Sequence, residues 1–323
     1  MRTFATPKLV VSKCLEFDHV RYNGERIPDK VVQRLTPYVT FIPVCPEMEI
    51  GLGVPRDVIR IVRNGEEERL MQPSSGEDLT DSMTHFAKGF LRSLPDVDGF
   101  LLKNRSPTCG IQDVKVYDKL EKSPVVGKTK GLFAQEVLNE HEALAIEEEG
   151  RLKNFRIREH FFTKLFTLAS FREMKETPSM KKLVAFHSEN KYLFMSYNQK
   201  TLKEMGRIVA NHDQLSMEEV LDAYEEKLGW MLRRAPSRKS NVNVCQHISG
   251  YFKNELTRGE KQYFLDELDK YYEEKIPLST VLGILKSWVI RFQDDYLLEQ
   301  TYFQPYPEDL VEISDSGKGR AYT

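Results

Sequence analysis

The sequence predicts an α/β protein: an N-terminal α/β/α domain built on a mostly parallel sheet, followed by an all-α helical domain. Three observations carry this reading. Short strand-like runs alternate with helix signals through the first half, and helical periodicity takes over from about Gly131. Three of the four cysteines, Cys14, Cys45 and Cys109, each follow a strand-like run. With 323 residues the chain exceeds the size at which one core keeps growing, so two domains are expected, over 1–150 and 151–323.

The elements follow in order. Leu9 to Ser12 is a short apolar run. Asp29 to Leu35 reads as a helical turn opened by Pro28, and Val39 to Val44 as a second strand. In IRIVRNGEEERLMQ, Asn64-Gly65 separates two extended segments, a strong hairpin signal. A helix from about Leu79 to Leu94 and a strand from Phe100 to Lys103 continue the alternation. From Gly131 the pattern, through FAQEVLNEHEAL, is read as helical, and EEEGRL as the boundary to the second domain. Ser216 with Glu219, and Thr257 with Glu260, have capping-box spacing. Leu221, Tyr224, Leu228 and Leu232 form one apolar stripe; Leu278, Val281, Leu282, Leu285, Val289 and Phe292 form another, and both are expected to be bundle core. The final SDSGKGRAYT is polar and expected to fray.

Composition narrows the class. Apolar residues are 40%, charged residues 30%, and the formal net charge is −2. No run approaches the roughly 18 apolar residues of a membrane helix. The first residues carry no apolar stretch of the kind a secretory signal needs, so a cytoplasmic protein is expected. Four cysteines are too few for a disulfide scaffold, which leaves metal ligands, nucleophiles or core side chains. GLGVPR has neither the GxGxxG pattern nor a following Lys-Ser/Thr pair, so phosphate-loop nucleotide binding is unsupported. The near-neutral total hides a local imbalance: residues 151–210 carry 13 Lys/Arg against 5 Asp/Glu, and Arg233, Arg234, Arg238 and Lys239 form a second basic cluster.

In parallel sheets the functional crevice lies at the carboxyl ends of the strands, where all three N-terminal cysteines are expected. Their spacing matches no compact Cys-x-x-Cys module, and a lone cysteine after a strand is most often a small core side chain. Spacing alone therefore leaves the alternatives open.

The residues themselves carry a resemblance. SKCLEFDHVRYNG, PVCPEMEIGLGVPR, KNRSPTCG and GLFA resemble the bacterial 2-thiouracil desulfidase domain. EEEGRL, FHSENKYLFMSYNQKTLKEMGRIVA and QTYFQPYPEDL are similar to the YbgA-like helical domain. The two-domain form resembles bacterial tRNA 4-thiouridine desulfidases. This resemblance implies a four-iron, four-sulfur (4Fe-4S) cluster held by Cys14, Cys45 and Cys109, with its fourth iron open to the sulfur of the substrate. It also implies acid-base or water-positioning roles for Glu47 and Ser106, and non-redox hydrolytic release of sulfide from 4-thiouridine to leave uridine. On the bland alternatives, Glu47 caps a helix N-terminus and Ser106 satisfies a turn before Pro107. Arg21 and Tyr22 are candidate substrate contacts, with an ion pair and a packed ring as the ordinary alternatives. Family members commonly carry glycine soon after the first cysteine, where this chain has Leu15-Glu16, and Asp in place of Asn23; Glu16 is expected to change the pocket.

The second domain is expected to hold RNA. Lys181, Lys182, Lys191, Lys203 and Arg207, with Arg233 and Arg234, are candidate phosphate contacts, and His187, Tyr192 and Tyr197 candidate stacking partners; a solvated helix face over core aromatics is the alternative. Thiolated tRNA is the expected partner, and no membrane is involved. The competing readings are a desulfidase of free 2-thiouracil or a related small thioamide, and an iron-sulfur or zinc-bound RNA-binding or regulatory module. Cys245 is not expected to ligate; were it to act as a fourth ligand, an electron-transfer role would gain ground.

Overall fold

The computed structural model describes residues 2–65, 67–121 and 123–312. The chain divides into two compact units, 2–172 with 309–312, and 173–308. The expected tail SDSGKGRAYT lies outside the described residues.

The first unit is built on two sheets. Strands β1 (Lys8–Ser12), β2 (Thr40–Val44), β6 (Gly99–Leu102) and β9 (Ala145–Glu148) form an all-parallel sheet in the order β2-β1-β6-β9. A parallel strand covered on both faces reads as a continuous apolar run, which is why Leu9–Val11 and Gly99–Leu102 are buried throughout. A second, mixed sheet runs β5-β4-β3-β7-β8, from β3 (Arg60–Asn64), β4 (Glu67–Gln72), β5 (Glu77–Asp78), β7 (Val114–Tyr117) and β8 (Val125–Thr129). The Asn64-Gly65 hairpin is present as expected, with Asn64 opposite Glu67 and Gly65 at φ 66°.

The helices of this unit are α1 (Lys30–Leu35), α2 (Pro46–Glu49), α3 (Thr80–Ser93), α4 (Leu132–Glu140) and α5 (Phe155–Glu176). Asp29 caps α1 by accepting from the N–H groups of Val31 and Val32. Phe86 and Phe90 of α3 pack on Phe133 of α4 at ring separations of 6.3 and 5.9 Å. Val10, Ile61, Met83, Phe100, Val114 and Phe133 then form one core that both sheets and both helices share. Buried Asp98, just before β6, pairs with Arg172 of α5 at 3.0 Å and accepts from the Lys8 N–H at the start of β1.

Two elements differ from the sequence expectation. The second sheet is larger than the hairpin alone: β7 and β8 are short, β8 is largely exposed, and their place is set by pairing rather than by apolar content. The helical reading through HEAL also fails beyond Glu140, because AIEE pairs with β6 as β9. Glutamate-rich sequence favours helix locally, and only the neighbouring strand overrides it. The first compact unit takes in α5 over most of its length, to residue 172.

The second unit is helical: α6 (Met180–Glu189), α7 (Lys191–Tyr197), α8 (Gln199–Ala210), α9 (Met217–Met231), α10 (Arg238–Ser249), α11 (Arg258–Tyr272), α12 (Leu278–Phe292) and α13 (Asp295–Leu298). Both capping boxes form. Leu221, Tyr224, Leu228 and Leu232 are buried, and of the other stripe Val281, Leu285 and Val289 are buried while Leu278, Leu282 and Phe292 are half-buried. No helix among the described residues is long and apolar enough to cross a membrane.

Candidate active site

Cys14, Cys45 and Cys109 follow β1, β2 and β6, three adjacent strands of the parallel sheet, and all three line one cavity of about 330 Å³ at its carboxyl edge. Cys45 and Cys109 are buried and Cys14 half-buried. Burial pushes the Cys14 thiol up to about 12, with Cys45 adding to the effect and Lys103 opposing it. Burial likewise raises Cys45 and Cys109; Glu47 adds to both, and Cys14 adds to Cys109. Burial makes each thiol resist ionising, so a bound cation is what would hold all three as thiolates. Among the described residues no three His, Cys, Asp or Glu side chains are placed to share a single metal ion.

Glu47 and Ser106 line the same cavity. Cys45 and Pro46 begin the one-turn helix α2, and Glu47 leaves its first turn. Its side chain is not spent on helix N–H groups. Oε2 accepts from Nε of Arg56 at 3.0 Å and from its Nη2, while Oε1 accepts from Oγ1 of Thr108 at 2.8 Å and from Oγ of Ser106 at 3.5 Å. Gly51 (φ 89°) and Gly53 (φ 69°) turn the chain so that Arg56 comes back onto Glu47, and Arg56 Nη1 also donates to the carbonyls of Val20 and Gly53. Ser106 Oγ accepts from the N–H groups of Thr108 (3.2 Å) and Cys109 (3.1 Å) and lies 2.9 Å from Thr108 Oγ1. It therefore both satisfies the turn and faces the carboxylate.

Arg56 and Thr108 are site residues that the sequence reading missed. Both sit inside the motifs that carry the resemblance, but only the folded turn shows that each reaches Glu47. GLFA also gains a physical reason. The N–H groups of Gly131, Leu132 and Ala134 donate to the carbonyls of Gly110, Pro107 and Thr108, so the start of α4 underlies the Cys109 loop. A Cβ on Gly131 would stand 2.5 Å from the Thr108 carbonyl oxygen.

Other expected site residues divide. Arg21 and Tyr22 line the cavity, with Arg21 paired to Glu25 at 3.0 Å and Tyr22 44% exposed. Glu16 is not among the lining residues, which corrects its expected effect on the pocket. Its carboxylate accepts from the N–H of Asp29 and from Gln33, and its φ is 71°. Glu16 holds a left-handed backbone that glycine would adopt freely, at a cost of about 1 kcal/mol. Cys245 is fully buried in the second unit, 3.6 Å from the Tyr302 hydroxyl, and does not line the cavity. Burial pushes its thiol up to about 12.

In the second unit Lys181, Lys182, Lys203, Arg207, Arg233 and Arg234 are exposed, with Lys203 and Arg207 one turn apart on α8. Lys191 lies over the rings of Tyr192 and Tyr296 at 5.4 and 5.7 Å. The expected stacking role of the interleaved aromatics is not met. Tyr192 is buried, Tyr197 is half-buried with its hydroxyl pushed up by burial, and His187 hydrogen-bonds the Tyr224 hydroxyl at 3.1 Å. These rings pack in helix contacts, which the apolar environment of α6 and α7 decides.

Comparisons with known proteins match both parts of the chain. The uncharacterized protein YbgA of Escherichia coli is 24% identical over 156 residues, covering 48% of this chain and 92% of that protein. The uncharacterized protein YbbK of Bacillus subtilis is 28% identical over 109 residues, covering 32% of this chain and 72% of that protein. A solved structure of the [4Fe-4S]-dependent thiouracil desulfidase TudS aligns with 26% identity and a TM-score of 0.35, over 46% of this chain and 93% of that one. Residues 9–149 match the family model described as 2-thiouracil desulfurase, and residues 191–307 match a protein family of unknown function, DUF1722. The cavity with its three cysteines thus lies wholly within the segment that matches the 2-thiouracil desulfurase family, joined in one chain to a DUF1722 segment.

Proposed function

We propose that this protein removes sulfur from thiolated uracil by non-redox hydrolysis, and that its substrate is thiolated uracil within tRNA, 4-thiouridine being converted to uridine. The observation that supports it most is the convergence of Cys14, Cys45, Cys109, Glu47 and Ser106 on one cavity inside the desulfurase match. The donor set suits a 4Fe-4S cluster: three cysteines lining one cavity would each take a different iron. Bound there, such a cluster supplies a thiophilic Lewis acid for the thiocarbonyl sulfur through its remaining iron.

The chain's own groups then handle water and protons. Glu47 Oε2 is committed to Arg56, so proton acceptance falls to Oε1, the oxygen that faces Thr108 and Ser106. Both acceptor positions of Ser106 Oγ are filled by backbone N–H groups, so its own proton is free to be donated toward Thr108 or Glu47. Water adds to the ring carbon, its oxygen stays as the new carbonyl, and sulfur leaves as hydrosulfide. No electrons are gained or lost. The exposed lysines and arginines of the second unit would contact tRNA phosphates, and the thiolated base would be flipped out of its stack to reach the cavity.

The test is anaerobic reconstitution followed by turnover on 4-thiouridine tRNA and free 2-thiouracil side by side, reading sulfide release. Sulfide from tRNA, with binding that weakens as salt rises, is the expected result. Sulfide from free 2-thiouracil alone would move the assignment to a small thiolated base. Bound RNA with no sulfide from either would make the protein a metal-bound RNA-binding module.

A further inference from the structure

No site role attaches to the stretch EEEGRL so far, yet its carboxylates are among the most buried charged groups of the first unit. Glu147, Glu148 and Glu149 are 2%, 3% and 6% exposed. Glu147 and Glu148 end β9, with Leu102 of β6 opposite Glu148, and Glu149 follows in the turn, so they stand at the edge from which the Cys109 loop departs. Successive side chains of a strand point to opposite sides. Glu149, just past the strand, reaches back to the start of that loop, where its Oε2 accepts the N–H of Asn104 at 2.8 Å and its Oε1 pairs with Lys103 Nζ. Glu148 reaches its far end, where Oε1 accepts the N–H groups of Ile111 at 2.7 Å and Gln112 at 3.4 Å. Gly150 follows because a side chain there would collide with the Asn104 amide.

The loop between these two anchors needs holding. Arg105 (φ 56°) and Asp113 (φ 57°) are non-glycine residues in left-handed conformation on either side of Cys109, each costing on the order of 1–2 kcal/mol unless its surroundings enforce it. Carboxylate to N–H bonds in a buried site are among the stronger ways to enforce a backbone path. Burial pushes Glu148 up to about 7, against the relief its two N–H partners give, so its placement carries a desolvation cost.

We propose that Glu148 and Glu149 are positioning residues for Cys109: two consecutive carboxylates that clamp the two ends of its loop and set where its sulfur enters the cavity. The inference rests on the cluster-binding reading for its functional meaning, and its test separates the two. Glu148→Ala and Glu149→Ala are compared with Glu148→Gln, which keeps an acceptor for the N–H groups. Two readouts are taken: alkylation of Cys109 in the apo-protein by iodoacetamide, mapped by peptide mass, and the rate at which a chelator bleaches the reconstituted cluster. The expected result is a rise of roughly tenfold or more in Cys109 labelling and in bleaching rate for the alanine variants, with Cys45 labelling unchanged and Glu148→Gln close to the parent. Unchanged labelling and bleaching in the alanine variants would overturn the clamp. So would an equal rise at Cys45 and Cys109, which marks general loosening. A parent protein that takes up no cluster, with Cys109 labelling still selectively raised in the variants, would sink the cluster reading and leave the clamp standing.

Discussion

Replacing Arg56 by Met isolates what the buried pair does for the site. The Arg56 side chain is 4% exposed and that of Glu47 15%. The substitution keeps the stem volume but removes two donors from Glu47 Oε2, and leaves the Val20 and Gly53 carbonyls without their Nη1 donor. Removing one partner of a buried pair costs about 3–5 kcal/mol, because the other charge stays desolvated. The Thr108 bond to Oε1 and the residual exposure of Glu47 place this case at the lower end, about 3 kcal/mol. Adding Glu47→Gln removes the orphaned charge, so the double variant is expected to recover on the order of 2 kcal/mol of that loss. Both tryptophans, Trp230 and Trp288, lie in the second unit, so their fluorescence is blind to this change. Hydrogen exchange of the β1 and β2 amides in the apo-protein reads it instead. A cost below about 1 kcal/mol for Arg56→Met, or a double variant as unstable as the sum of the singles, would refute the argument.

Further expectations follow from the same geometry. Alanine at Cys14, Cys45 or Cys109 should abolish the visible absorption of the reconstituted cluster, whereas Cys245→Ala should keep it and lose only about 1 kcal/mol of stability from its packed site, as chelator-free spectra and urea melts will show. Gly131→Ala forces a methyl against the Thr108 backbone and should cost about 1–3 kcal/mol and impair cluster uptake. Gly283→Ala, in α12 with open space around it, should be neutral or stabilise by up to about 1 kcal/mol. His187 is pushed down to about 4 by burial, with Lys191 adding to the effect, so it stays neutral when folded and takes up a proton on unfolding. Its contribution is therefore intact above pH 6.5 and is lost as pH falls from 6.5 toward 4, by up to about 3 kcal/mol. His187→Phe should flatten that acid limb in urea melts of the second unit.

Much of the architecture is legible locally because local rules decide it. Buried parallel strands show as apolar runs at Leu9–Val11 and Phe100–Leu102, Asn64-Gly65 marks its hairpin, and Ser216 and Thr257 announce their helices through a partner three residues on. β9 is not legible, since its four residues hold two glutamates and gain strand geometry only from β6. The same holds for β7 and β8, whose pairing partners lie elsewhere in the chain.

The sequence by itself determined the α/β-then-helical order, the two capping boxes and, through its motifs, the identity of the cysteines, Glu47 and Ser106 as site candidates. Tertiary structure alone decided what those residues touch. Positions 14, 45 and 109 meet because three adjacent parallel strands release their loops at one edge, a consequence of sheet order that no spacing encodes. Arg56 and Thr108 on Glu47, Glu148 and Glu149 around the Cys109 loop, and Cys245 sealed beside Tyr302 are likewise long-range pairings. Their partners are fixed by packing and by the cost of burying an unpaired polar group, and both exist only once the chain has folded.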